Sequence, residues 1–183
     1  MNLKIENIKF INCLKNIMFF ILVLLTTSCN VQSKSKGYDN LDILYKDFVH
    51  YLKIGGEDLK EYCFRICPDE GTVAYMEQNN VSYRGIPDEL KKQNLKVTVI
   101  GEEYYKSVIR FREQLVQNKQ LDSLVYIGRE QQGEELFDKR LKVSATETFI
   151  LMKSGNDTIR CKLGEMFNYD NKWKSFTSPK LGW

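Results

Sequence analysis

An α+β domain, with helices from the first half of the chain packed on an antiparallel sheet from the second, is predicted by three features of the sequence. Apolar residues recur at three- and four-residue spacing between positions 39 and 118, as one buried face of a helix requires. From Leu121 onward the spacing shortens to two, the period of a strand with one buried face. Helical runs come first and strand runs after, without the alternation that marks a parallel α/β fold.

The helices follow in order. Asp39 or Asn40 can cap a helix reaching about Lys53, with Leu41, Leu44, Phe48, Tyr51 and Leu52 along one side and Gly55-Gly56 ending it. A second, from Glu57 to about Ile66, stops ahead of Pro68, because the residue before a proline avoids helical geometry. Thr72-Val-Ala-Tyr-Met76 and Val81-Ser-Tyr83, parted by Glu77-Gln-Asn-Asn80, read as two strands of a hairpin, with a helix over the first as the alternative. Pro87 suits the first turn of a helix through Lys92. A longer helix, about Glu102 to Asn118, carries Tyr105, Val108, Ile109, Phe111 and Leu115. His50, the one histidine, lies on the first helix and reads as a surface or boundary residue.

Leu124-Val-Tyr-Ile127 is the first strand of the second half, broken at Gln131-Gln-Gly-Glu-Glu135. In the next, Leu141, Val143, Ala145, Phe149 and Leu151 alternate with polar residues, and in a third Ile159, Cys161, Leu163 and Phe167 do the same. Trp173 belongs to a fourth. Opposed residues of an antiparallel pair share a face, so joining these odd-numbered apolar sets requires an odd loop or a bulge. A three-residue loop Ser154-Gly-Asn156 then sets Lys153 opposite Asp157, Ala145 opposite Glu165 and Glu147 opposite Leu163. A loop Tyr169-Asp-Asn171 sets Phe167 opposite Trp173 and Glu165 opposite Ser175.

The first 28 residues have a separate logic. Lys4, Lys9 and Lys15 against the single acid Glu6 precede an unbroken apolar run from Ile17 to Leu25, then Thr26, Thr27 and Ser28. This is signal-peptide anatomy, too short for a span that needs about 20 apolar residues. Leu25-Thr-Thr-Ser-Cys29 resembles the lipobox of bacterial lipoproteins, in its looser Bacteroidetes form. The resemblance implies cleavage after residue 28 and acyl chains on the Cys29 thiol, each buried CH2 adding roughly 0.8 kcal/mol of membrane attachment. A plain secretory leader with Cys29 as an ordinary thiol is the alternative. Residues 29–38 read as lipidated cysteine and flexible tether, and residues 39–183 as one domain. Acidic residues soon after the cysteine resemble a surface-export signal in that bacterial group. Here Lys34 and Lys36 stand instead, which favours the outer membrane's periplasmic face.

Composition narrows the chemistry. Removal of residues 1–28 leaves 24 basic and 23 acidic side chains, without the basic excess that nucleic acid binding needs. Cys63, Cys67 and Cys161 remain for the domain; the first two share a helix face and are either two buried thiols or a bridge. A tetrahedral zinc site would need a further ligand cluster, and His50 is the one histidine, so neither metal nor cofactor is expected. No phosphate loop, nucleophile elbow, zinc helix or dinucleotide fingerprint occurs.

Helices first, then Val81-Ser-Tyr-Arg-Gly-Ile-Pro-Asp-Glu-Leu90, then a meander ending in Asp170-Asn-Lys-Trp173, resemble the nuclear transport factor 2-like (SnoaL-like, cystatin-related) α+β cone over residues 39–178. That resemblance implies a curved sheet and an enclosed cavity that binds small molecules, often without catalysis. Glu147 and Glu165 are the acids on the otherwise apolar odd face, roughly 7–8 Å apart on the diagonal. In a closed cavity, repulsion and desolvation would divide them into one acid and one base. Solvated or ion-paired carboxylates are the alternative, as core packing is for Tyr75, Tyr83, Phe149 and Trp173 beside a role as ligand cradle. The expected function is a lipid-anchored envelope protein, bound to the membrane through Cys29, whose domain binds a small apolar ligand or an envelope protein. The runner-up is an isomerase or hydrolase using the two carboxylates, and a third class is a structural or inhibitory module.

Overall fold

Asn40 starts the first helix as the capping rule requires: in this computed structural model its Oδ1 accepts the N–H groups of Asp42 at 2.7 Å and Ile43 at 3.2 Å, and α1 (Leu41–Ile54) follows. The structure describes residues 36–80, 86–138, 143–169 and 171–181, without the side chains of Pro87, Phe137, Asp138 and Tyr169. Cys29 and its flanking motif, the strand Val81–Tyr83 with Tyr83, and Leu141 lie outside the described residues. Residues Lys34–Trp183 form one unit.

Gly55, at φ 76°, ends α1 and passes the chain into α2 (Gly56–Ile66), which Cys67 and Pro68 terminate. Arg112 Nε donates to Leu52 O at 2.7 Å, supplying a partner to a carbonyl at the end of α1. The next segment corrects the hairpin expected at Thr72–Met76. It is helix α3 (Glu70–Gln78), started by a capping box in which Asp69 accepts from Thr72 N at 2.8 Å and Thr72 Oγ1 accepts from Asp69 N at 3.1 Å. The cap overrides the strand preference of Thr72 and Val73. Helices α4 (Ile86–Lys92) and α5 (Thr98–Gln117) complete the helical half, α5 starting earlier than its apolar pattern suggests.

Five strands follow: β1 (Val125–Asp138), β2 (Val143–Ser154), β3 (Asp157–Cys161), β4 (Glu165–Tyr169) and β5 (Lys172–Ser175). They form a curved, unclosed antiparallel sheet in the order β1-β2-β4-β5, with β3 pairing the far half of β2. The break expected at Gln131–Glu135 is absorbed as a register shift between Gln132 and Leu136, so β1 runs on through it.

The pairing differs by one residue from the three-residue loops of the sequence reading. Ser154 opposes Asp157 across the two-residue turn Gly155-Asn156, and Tyr169 opposes Lys172 across another. Gly155 has φ 59°, as a short hairpin turn of this hand demands. An odd face therefore meets an even one. On β2 the residues turned to the helices are Thr146, Thr148, Ile150 and Met152, while the odd set Val143, Ala145, Phe149 and Leu151 faces the other way. The even set packs with Ile159, Cys161, Leu163 and Met166 against Leu44, Tyr45, Phe48, Tyr62, Val108 and Phe111. Full burial of an aromatic side chain such as Phe48 contributes roughly 1.5–3 kcal/mol.

Two threonines on this buried face test the register. Thr148 Oγ1 bonds to Tyr45 O–H, while Thr146, only 5 % exposed, has no hydrogen-bond partner for Oγ1 among the described residues. Thr146→Val is expected to stabilise by about 1 kcal/mol and Thr148→Val to destabilise by about the same. Urea midpoints check both; equal losses would contradict the inward placement of Thr146.

Candidate functional site

The outward face of the sheet carries the residues with chemistry. Glu147 on β2 stands directly opposite Glu165 on β4, and Gln132 on β1 stands opposite Glu147 from the other side. These three make one row across three strands. The next outward-facing row, two residues along β2, is apolar: Leu136, Ala145 and Phe167. Glu147 and Glu165 are thus closer than the diagonal expected from sequence, because direct cross-strand neighbours have Cβ atoms about 4.5–5.5 Å apart.

Lys162 answers this concentration of charge. Its Nζ lies 2.8 Å from Glu147 Oε2, and its side chain is 8 % exposed against 42 % for Glu147. The C-terminal segment covers it, since Lys162 and Lys180 exchange backbone hydrogen bonds of 3.0 and 2.8 Å. Gly164, at φ 109°, breaks β3 from β4 and sets Glu165, whose N–H donates to Thr177 Oγ1 at 2.9 Å. On the rim, Arg160 grips Glu130 through two bonds of 3.1 and 3.0 Å and lies 3.5 Å over the Phe149 ring.

Two adjoining hollows result, sharing Gln132, Glu147 and Glu165. One, of about 680 Å³, adds Phe149, Lys162, Phe176 and Lys180; the other, of about 570 Å³, adds Glu134, Leu136, Ala145 and Phe167. Both are open to solvent. Between helices and sheet, where the enclosed cavity expected of a cone would lie, Tyr45, Phe48, Tyr62, Phe111 and Ile150 are each 2 % exposed or less. The two carboxylates therefore meet in an open groove, with Glu147 paired to Lys162.

The aromatic candidates separate. Phe149 lines the groove. Tyr75 packs one layer away, against the small cluster of Met76 and Phe176 that Phe167 also joins. Trp173 belongs to the main core, its backbone paired with Tyr38. Gln132, Lys162, Phe167, Phe176 and Lys180 were not visible as site residues, since only the strand register and the return of the C-terminal segment bring them together. His50 is exposed on α1.

The remaining titratable groups point to structure. Cys63, Cys67 and Cys161 are buried free thiols; burial pushes Cys63 up to about 12 and raises Cys67 and Cys161 as well, so all stay protonated and unreactive at neutral pH. Among the described residues no group of three or more His, Cys, Asp or Glu side chains is placed to hold a metal ion. No family model, curated protein or solved structure matches this chain.

Proposed function

We propose that this chain is an envelope lipoprotein, held on the periplasmic face of the outer membrane by acyl chains on Cys29, whose nuclear transport factor 2-like domain binds a partner without catalysing a reaction. The groove is the observation that carries the binding part of this reading. It offers an apolar wall of Leu136, Ala145 and Phe167 beside a polar floor of Gln132, Glu147, Lys162 and Glu165, open to solvent. Leu136, 70 % exposed, is the most exposed large apolar side chain described. An outer groove open to solvent favours a segment of another envelope protein over an engulfed small molecule.

Ala145→Trp tests this, because the indole would fill the apolar half of the groove while leaving the helix-facing side of β2 untouched. Native mass spectrometry of the gently extracted protein is expected to show a bound partner in the parent chain and at least a tenfold loss in the variant, with unchanged circular dichroism. Equal occupancy in the two would refute the groove as the binding site.

The direct Glu147–Glu165 opposition favours one second reading, a small-molecule isomerase or hydrolase. In that case Glu165→Gln would abolish turnover of a substrate found by screening while leaving the bound partner in place.

A further inference from the structure

The folded residues next to the tether decide how the domain hangs from its anchor. Residues 36–39, read from the sequence as tether and first cap, are fastened to the domain. The Lys36 N–H donates to Asp69 Oδ2 at 2.9 Å. Tyr38 and Trp173 exchange backbone hydrogen bonds of 2.7 and 3.4 Å, which lays this segment along the outer edge of β5. Tyr38 O–H reaches Asp47 at 2.8 Å, and Lys172 pairs with Asp39. A Cβ on Gly37 would meet Lys172 Cβ at 2.9 Å, so the backbone lies close against the strand.

Between Cys29 and Lys36 the chain has seven Cα steps, which span at most about 24 Å. A domain of 145 residues is about 38 Å across. To bring its opposite side to the bilayer the tether would have to pass around half the circumference, roughly 60 Å, which is more than twice its reach.

The other end of the sheet is far from this exit. Ala145, Phe167 and Lys174 stand level across β2, β4 and β5, and Lys174 Nζ lies 2.9 Å from the Asp69 carboxylate that also holds Lys36. From Ala145 the strand β2 runs ten residues to the turn at Gly155, about 33 Å away.

Resting on the proposed lipidation of Cys29, we infer that the side of the domain around the start of α3 and the edge strand β5 faces the lipid headgroups, and that the turn at Gly155-Asn156 points away from the membrane.

Single thiol labels on Glu70→Cys and Asn156→Cys read this out in the full lipidated chain on phosphatidylcholine vesicles that contain a headgroup nitroxide lipid. Both positions are exposed, and Cys63, Cys67 and Cys161 are buried to 2 % exposure or less, which leaves the new thiol as the reactive one. Quenching at residue 70 is expected to exceed that at residue 156 by several-fold. Equal quenching, or stronger quenching at 156, on protein whose mass includes the acyl chains overturns the orientation and leaves the anchor standing. A mature chain without that mass overturns the anchor and this inference with it.

Discussion

Lys174→Met is expected to lower the unfolding free energy by about 3–5 kcal/mol, the cost of removing one partner from a buried ion pair. The Lys174 side chain is 0 % exposed, and its ammonium donates to Asp69 Oδ2 at 2.9 Å and to Cys67 O at 2.8 Å. It thereby ties β5 to the junction of α2 and α3. Methionine fills most of the volume but leaves the Asp69 charge without its counter-ion and the Cys67 carbonyl without its donor. Urea unfolding checks the magnitude; a loss under 1 kcal/mol would show that the pair is not buried.

The pH dependence gives the same pair a second test. Burial alone would push the Asp69 carboxyl up, but the Lys174 ammonium and the two Thr72 bonds outweigh it and hold the carboxyl below the ordinary aspartate value. A carboxyl with a depressed folded pKa adds stability that is complete above the unfolded value of about 3.9 and is lost as pH falls through the folded one. Burial draws the Lys174 ammonium below the usual lysine value, with Asp69 opposing, so the native chain releases this proton first and the group alone does not erode stability at high pH. The parent is expected to lose stability on acidification below about pH 4, and Lys174→Met to lose the Asp69 share of that slope.

Gly164→Ala is expected to cost at least about 3 kcal/mol, by two separate mechanisms. At φ 109° a side chain is strained whatever space surrounds it, and here the Cβ would lie 2.5 Å from Thr177 O and collide with Ser175 Oγ. Because a backbone oxygen cannot swing aside, the C-terminal segment must lift off Glu165 and Lys162, opening the groove. Gly155→Ala is the control: its φ is 59° but nothing lies within 4 Å of the added carbon, so only about 1 kcal/mol is expected. Thermal unfolding of the two variants separates them, and equal losses would contradict the close approach at Gly164.

Much of the helical half was legible because helix signals are local. Asn40, one of the two candidate caps, Gly55 as stop and Pro68 as terminator act within a few residues of where they stand. Asp69 and Thr72 carried the same kind of signal, a cap three residues ahead of its partner, which the β-branched Thr72 and Val73 masked. The sheet was legible in kind but not in register. Odd-numbered apolar residues on β2 suggested a buried odd face, yet Thr146 and Thr148 occupy the core and Phe149 and Leu151 look outward. A period-two pattern cannot name the buried face when both faces carry apolar groups, and a loop shorter by one residue reverses the assignment. That reversal moved Glu147 and Glu165 out of an imagined interior into an open groove. Lys162, which neutralises one of them, was hidden because its burial comes from residue 180, far along the chain.

The proposed location rests on acyl chains attached to the thiol of residue 29. Intact mass and N-terminal peptide mass of the protein extracted from envelope membranes measure it directly. The expected result is a chain that begins at Cys29 and carries the added mass of two or three fatty acyl groups. A chain that starts upstream, or starts there with free sulfur and washes off membranes in salt, would contradict it.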